Sequence, residues 1–550
     1  MESWPPSLSR ASPARCSNTF TGYGATTRKP CSSKRPSRTG TAAKHNPSGD
    51  SHNEGIDVAR PNVLLICADH WFGDLIGALG HPTILTPTLD HIIGNGIAYT
   101  NAYAPTPTCI PARRELMTGT HARTHGDRVF NETLPMPNLP TMAQTFRDNG
   151  YQAYGVGKLH VYPQRDRIGF DDVLLLDEGR HQFGMSKDDY ELFLQDEGYA
   201  GQEYGHGASN NDYMVSPWHL PEHLHQTNWT VREMSKFIAR RDPRKPGFWY
   251  MSFSPPHPPL APLSAYLDMY RDIEIDEPYY GDWSDDPNAW PYALRARPVG
   301  RDTYSPDALK RARQGFYAQA THIDHQIRLV IGLLREENLL DNTVIAFTSD
   351  HGDMLGNHGL FAKSVMYENS AKIPMVLMPP ADRDDLGRNV HDDRLSVQAD
   401  VFPTLADICD IPIPDTVQGL SLVGDEKRDY IFGGHGEEDR PTRMVRDTRY
   451  KLVYYPQGNV TQLFDLHDDP RETRDISGDP EHAYIEARLT DLLIENMYGG
   501  DVEWVDDGKL VGTPDPNPGS THPAPNKSFG NQRGYRFGHS GPATNMPSRM

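Results

Sequence analysis

Five short stretches of this chain carry side chains suited to gripping an ion and moving a proton. They are Asp69-His70, Gly157-Lys158-Leu159-His160, Pro255-Pro256-His257, Ser349-Asp350-His351-Gly352-Asp353, and Thr106-Pro107-Thr108-Cys109-Ile110-Pro111-Ala112-Arg113. The two Asp-His pairs bring together carboxylates and imidazoles, the donors that bind one divalent cation. In the fifth stretch, Pro111 suits the first turn of a helix that Arg114 to Thr118 can continue. Cys109 then sits at or just before a helix N-terminus, where free N–H groups and the dipole favour an anion. Arg113, four residues on, can fold back to the same point. Each stretch alone has a plainer reading: Asp after a strand often caps a helix, and an isolated cysteine is commonly a buried apolar residue.

What sets these residues apart is the elements that hold them. Four of the stretches directly follow continuous apolar runs, at 62–68, 152–156, 248–253 and 344–348, and a further run lies at 374–378. Such runs are expected of parallel strands buried on both faces. Helical patterns lie between them, at 139–149 and 306–338, so the expected fold class is α/β: a large, mainly parallel sheet flanked by helices. In such sheets ligands bind beyond the carboxyl ends of the strands, which places Asp69, Lys158, His160, His257, Asp350 and His351 along one edge.

After residue 425 the pattern changes to closely spaced strands at 449–455 and 462–466, joined by Pro-Gln-Gly-Asn, and a helix at 481–497. The expected organisation is a catalytic α/β domain at 58–425 and a smaller C-terminal α+β subdomain with an antiparallel sheet at 426–507. Residues 1–57, rich in Ser, Thr, Pro, Arg and Gly, read as disordered; 508–550 read as a flexible tail or an arm wrapping a neighbour in a homo-oligomer.

The 550 residues carry a net charge of −20, while 1–57 hold eight Lys/Arg against four Asp/Glu, so the body is more acidic than the whole. An acidic body argues against nucleic acid as partner, and an anionic substrate would need cations gathered locally. Mean hydropathy is −0.65 and no apolar run approaches a membrane span. With no apolar signal segment visible either, a cytoplasmic location is the expectation. Five scattered cysteines (16, 31, 67, 109 and 409) make no disulfide framework, and Cys67 and Cys409 read as core residues.

The run Cys109-Ile110-Pro111-Ala112-Arg113, continued by Glu115-Leu116-Met117-Thr118-Gly119-Thr120, resembles the C-x-P-x-R…L-x-T-G signature of the formylglycine-dependent (type I) sulfatases, in the alkaline phosphatase superfamily. The stretches 320–324 and 342–353, Lys363, and Lys372-Ile373-Pro374 are similar to the family's second hallmark, in the family's order. The resemblance implies an alkaline phosphatase-like fold and hydrolysis of a small sulfate ester. It also implies that a maturation enzyme oxidises Cys109 to formylglycine, whose hydrated form attacks sulfur with one hydroxyl and expels sulfate with the other. By position, it implies Asp69, His70, Asp350 and His351 as metal ligands and Arg113 as the residue orienting formylglycine. Lys158 and Lys363 would grip sulfate, His160 would assist the diol, His257 would meet the leaving group, and Asn131 would face the anion. His70 departs from the usual Asp, and with His351 it brings the chain nearer the choline sulfatase and phosphonate monoester hydrolase branch. Oxygen ligands suit Ca²⁺, favoured here over the Mn²⁺ or Zn²⁺ that two imidazoles would draw. The alternative activity is phosphonate monoester or phosphodiester hydrolysis with the same machinery; a non-catalytic binding protein on the same fold is the third reading. The insertion at 179–228 and the Trp/Tyr-rich stretch at 279–292 either wall the pocket, the reading favoured for long loops in a compact domain, or are surface loops packed for stability.

Overall fold

The strand Asn62–Asp69 (β1) is buried along its whole length because it sits in the middle of the molecule. Its alternate residues feed two separate cores: Leu64, Ile66 and Ala68 pack with Phe316, Ile323 and Ile327 of the Pro306–Glu336 helix, and Val63, Leu65 and Cys67 pack with Phe402 and Leu405 of the Val401–Ile408 helix. The period-two alternation of a strand makes this division automatic, and each fully buried Leu or Ile contributes about 2 kcal/mol. The computed structural model describes residues 60–178, 186–208, 210–297, 304–438 and 440–516. The expectations for 1–57 lie outside the described residues, as do those for 517–550.

Strands Ile97–Tyr103 (β2), Gln152–Gly157 (β3), Asp172–Leu175 (β4), Gly247–Pro256 (β5), Thr343–Ser349 (β6), Met375–Met378 (β7) and Val390–Val397 (β8) complete an eight-stranded sheet of order β4-β3-β5-β1-β6-β7-β2-β8. β7 runs antiparallel to both its neighbours and every other pairing is parallel. β3, β5, β1 and β6 are consecutive in space, so the four predicted strand ends lie side by side on one edge.

A second sheet, order β12-β11-β10-β9, is antiparallel throughout: Ile431–His435 (β9), Thr442–Arg446 (β10), Tyr450–Tyr455 (β11) and Val460–Asp465 (β12). One face packs on the Ala483–Asn496 helix through Val445, Leu452, Leu463, Leu489 and Leu493. The other side is tied to the large sheet by a buried polar cluster. Lys451 of β11 donates to Glu368 Oε1 at 2.7 Å, Tyr103 at the end of β2 donates to the same carboxylate, and Glu472 pairs with Lys451. The described residues fall within a single unit, 58–550. Residues 509–510 pair with 505–506, and Asp515 reaches Arg295, so the first part of the expected tail lies against the body. No helix among the described residues is long and apolar enough to cross a membrane.

Candidate active site

Cys109 is the first residue of a ten-residue helix, Cys109–Thr118, every residue of which is buried. Thr108 is extended and delivers the chain to the helix start. The Cys109 Sγ atom lies 3.0 Å from Lys363 Nζ, 3.3 Å from His351 Nε2, and 3.8 Å and 3.9 Å from the two oxygens of Asp69. Those contacts come from the end of β1 and from the segment that follows β6, up to 254 residues from Cys109 in sequence.

Arg113, one turn along the helix, locks this assembly. Its Nε donates to Asp350 Oδ2 at 2.9 Å, and its Nη1 donates to Lys158 O (2.9 Å), Ser252 Oγ (2.9 Å) and Tyr250 OH (3.2 Å). One guanidinium thus ties the helix to the ends of β3, β5 and β6. Lys158 can turn into the site because Gly157 stands before it: a Cβ there would lie 1.8 Å from Ser252 O, at φ +107. His70 and His160 also hold left-handed backbone (φ 70 and 60), as do Ala362 and Ser364 (φ 60 and 67) on either side of Lys363. Left-handed non-glycine residues gathered in this way mark a site held by its surroundings.

The imidazoles share one tautomer. His351 Nδ1 donates to Gly352 O (2.9 Å), His257 Nδ1 to Pro258 O, and His70 Nδ1 to Asp353 Oδ2 (2.6 Å). Each therefore keeps its lone pair on Nε2. His351 aims that lone pair at Cys109 and Asp69, whereas His70 Nε2 accepts from Lys363 Nζ at 2.6 Å. Burial, followed by Lys363, pushes both His70 and His257 down, His257 to about 3, so both are neutral.

Charge is arranged to match. Burial alone would pull Lys158 down, but Asp69 and Glu178 hold it well above the usual lysine value. Burial would raise Asp69, yet Lys158, His257 and Lys363 keep it well below the carboxylate range. Burial lifts Asp350 to about 6 even with Arg113 against it, so this carboxylate has room for a further positive neighbour. Asp69, Asp350, His351 and Cys109 each offer a donor atom within 4.8 Å of the others. Two carboxylates and a lone-pair nitrogen at that spacing fit one divalent cation. His70 stands outside this set, its Nε2 engaged by Lys363.

A cavity of about 650 Å³ opens over Cys109 and is lined by Lys363, His257, His160 and Glu178 of the site. Its walls correct one expectation and decide between the two readings of another. Asn131 is exposed and its Oδ1 accepts from the Thr133 N–H (3.1 Å) and hydroxyl, outside the cavity; its neighbour Phe130 lines the wall instead, edge-on to His160 at 5.5 Å. The 279–292 stretch packs into the molecule: Trp283 stacks on Tyr367 at 4.7 Å, because its indole finds apolar cover there. From the 179–228 insertion, Asn211 lines the cavity and Tyr213 donates to Asp353; 179–185 and 209 lie outside the described residues. The β9–β10 segment supplies His435, Gly436, Glu437, Glu438, Arg440 and Thr442.

Sequence reasoning missed Glu178, which accepts from Lys158 (2.6 Å) and Ser254 (2.9 Å), and Asp177, which accepts from the backbone of Leu159 and His160. Both follow β4, a fifth strand end whose signal was the run Val173 to Leu176 before Asp177-Glu178. It also left Asp353 without a role.

Known proteins place this site in context. A family model described as Sulfatase matches residues 61–411, and one described as the C-terminal part of N-sulphoglucosamine sulphohydrolase matches 356–498. The chain is 35% identical to an arylsulfatase of Clostridium perfringens (strain 13 / Type A) over 474 residues, 82% of this chain and 97% of that protein. It is 27% identical to a choline-sulfatase of Rhizobium meliloti (strain 1021), covering 79% of this chain and 86% of the relative. The crystal structure of the phosphonate monoester hydrolase of Agrobacterium radiobacter is similar at a TM-score of 0.69 and 25% identity, covering 79% of this chain and 95% of that one. With the signature cysteine set at the edge of a mainly parallel sheet and the family matched from residue 61 to 411, the chain belongs to the sulfatase family of enzymes.

Proposed function

We propose that the protein hydrolyses a sulfate monoester, with Cys109 matured to formylglycine by a separate enzyme and one Ca²⁺ held by Asp69, Asp350 and His351. The observation that carries this reading is the position of the Cys109 side chain: its Sγ, 3.0 Å from Lys363 Nζ and 3.3 Å from His351 Nε2, lies at the cavity wall. When present, the hydrated aldehyde supplies the attacking hydroxyl and the cation favours its ionised form.

The chain's own residues do the rest. Arg113 fixes the Cys109 helix against the ends of β3, β5 and β6. Lys158 and Lys363 bind sulfate oxygens and oppose the charge that grows as the ester bond breaks. His70, clamped by Asp353 and Lys363, positions the Lys363 ammonium. His257 contacts the leaving group from the cavity wall, and His160 faces the diol from the same wall. Because Lys363 engages His70 Nε2, the donor set is two carboxylates and one imidazole, which favours the oxygen-seeking Ca²⁺.

Two measurements test this. Protein from its native host is digested and the peptide spanning Cys109 weighed; a plain thiol throughout the active fraction refutes formylglycine. Turnover of an aryl sulfate is compared with that of an aryl phosphonate monoester, and the sulfate is expected to be preferred. The reverse preference makes the enzyme a phosphonate or phosphodiester hydrolase with the same machinery.

A further inference from the structure

A second group of nitrogen donors lines the cavity over Cys109, and none of the steps above uses it. Arg297 follows the short Tyr292–Arg295 helix, and its Nη2 donates to Phe361 O at 3.0 Å and to Lys363 O at 2.6 Å. Arg440 reaches the carbonyl of Ala296, the residue before Arg297, at 3.4 Å. His435, at the end of β9, lines the same wall.

Arg297 differs in its partners from most of the molecule's buried arginines. Buried Arg113, Arg128, Arg295, Arg313 and Arg443 each meet a carboxylate. Arg297 meets none among the described residues; its partners are two carbonyls. Arg297 is half-buried at the cavity wall, and the five donors of its planar fork are best satisfied by an oxyanion. The acidic residues that line the cavity do not fill this need: Glu178 pairs with Lys158, Glu437 pairs with Arg128, and Glu438 is exposed at the rim. Burial, with Arg440 next, brings Arg297 down to about 10, which leaves it charged; burial with Arg297, Arg443 and Arg440 brings His435 to about 3, which leaves it a neutral imidazole able to donate one N–H. In a chain of net charge −20, such a gathering is a local exception.

We propose that Arg297, Arg440 and His435 form a second anion subsite, so that the preferred substrate is a sulfate ester whose alcohol part carries a further carboxylate or sulfate. The inference rests on the sulfate-ester reading for its substrate, but not for its binding chemistry. The sulfate to be cleaved meets Lys158 and Lys363, while the second anion is held by the arginine fork and the imidazole. A monoanionic ester leaves Arg297 with its carbonyl partners alone.

The test is calorimetric titration of the full-length protein and of Arg297→Gln and Arg440→Gln with benzenesulfonate, meta-benzenedisulfonate and meta-sulfobenzoate. The wild type is expected to bind one or both dianions at least about tenfold more tightly than the monosulfonate, as charge-assisted hydrogen bonds allow. Whether the disulfonate or the sulfobenzoate gains more tells sulfate from carboxylate. Each variant is expected to bring the ratio toward one. Arg297 also touches the Lys363 backbone, so a general disturbance would weaken all three ligands alike; Arg440, which does not, provides the second variant. Equal binding of mono- and dianions by the wild type, or an unchanged ratio in both variants, overturns the subsite. Turnover of phenyl sulfate with and without a meta-carboxylate is followed in parallel. Failure to cleave either ester sinks the sulfatase reading while the binding ratios still decide the subsite.

Discussion

Arg113 and Asp350 are joined by a 2.9 Å hydrogen bond from Nε to Oδ2, both side chains buried, one on the helix that begins with Cys109 and the other just beyond β6. That bond fixes the distance between the Cys109 helix and a candidate metal ligand. Three further bonds from the same guanidinium extend the constraint to β3 and β5.

Arg113→Ala should therefore cost about 3–5 kcal/mol, since it strands a buried carboxylate. Arg113→Lys should recover part of the stability, because a charge is restored, but little activity, because an ammonium cannot reproduce the planar fork. Urea unfolding and aryl sulfate turnover on the same preparations separate the two effects. Full activity in the lysine variant would contradict the positioning role.

Lys363→Ala removes the cation nearest Cys109. Turnover is expected to fall about 100- to 1000-fold, the usual effect of losing one donor aimed at developing negative charge. Lys363 is only partly buried, so the melting temperature should change little. Steady-state kinetics with thermal melts checks both, and a loss confined to KM would reassign Lys363 to simple binding.

Gly157→Ala is expected to misplace Lys158. The added carbon meets Ser252 O at 1.8 Å on a backbone at φ +107, and neither strand end has space to give. A loss of more than about 2 kcal/mol, combining strain at positive φ with overpacking, should appear in denaturant melts. A variant as stable as the wild type would mean that the β3–β5 contact is looser than described.

Removal of divalent cations with a chelator should abolish aryl sulfate turnover and lower the melting temperature, because an ion bound by the folded state alone stabilises it. Added Ca²⁺ should restore both. Restoration by Mn²⁺ or Zn²⁺ but not Ca²⁺ would return His70 to the ligand set.

Asp324, on the Pro306–Glu336 helix, accepts from the backbone N–H groups of Thr88 (3.0 Å) and Leu89 (2.8 Å) at the start of the Pro87–Gly94 helix. Burial lifts its carboxyl to about 6, against those N–H groups. A carboxyl whose pKa is higher folded than unfolded takes up a proton on folding. Its favourable contribution is present at low pH and is lost as pH rises from about 4 to about 6. Asp324→Asn deletes that dependence. The wild-type melting temperature minus that of the variant should fall across this window and level off above it; a difference that grows with pH would reverse the assignment.

The ends of β1, β3, β5 and β6 were legible because each is a continuous apolar run, the signature of a strand covered on both faces, and each is followed at once by polar residues. The helices expected at 139–149, 306–338 and 481–497 appear as Met142–Asp148, Pro306–Glu336 and Ala483–Asn496. Glu178 escaped because β4, a four-residue edge strand, is too short for periodicity to register. Asn131 misled because a loop side chain has no periodic constraint, and its nearest acceptor need, capping Thr133, is local. The cavity wall at His435 and Arg440 could not be read from sequence at all: it exists only when the second sheet docks, through Lys451 and Glu368, 83 residues apart.

That docking separates two jobs along the chain. The residues around Cys109 come from the large sheet and the segments joining its strands, while much of the surface a substrate's alcohol part would touch comes from the strands that begin at residue 431. Selection can therefore alter the β9–β10 connection, and with it the choice of substrate, while leaving the reacting groups where they are. An engineer has the same freedom: exchanging that connection between relatives offers a route to new specificity that does not require rebuilding the catalyst.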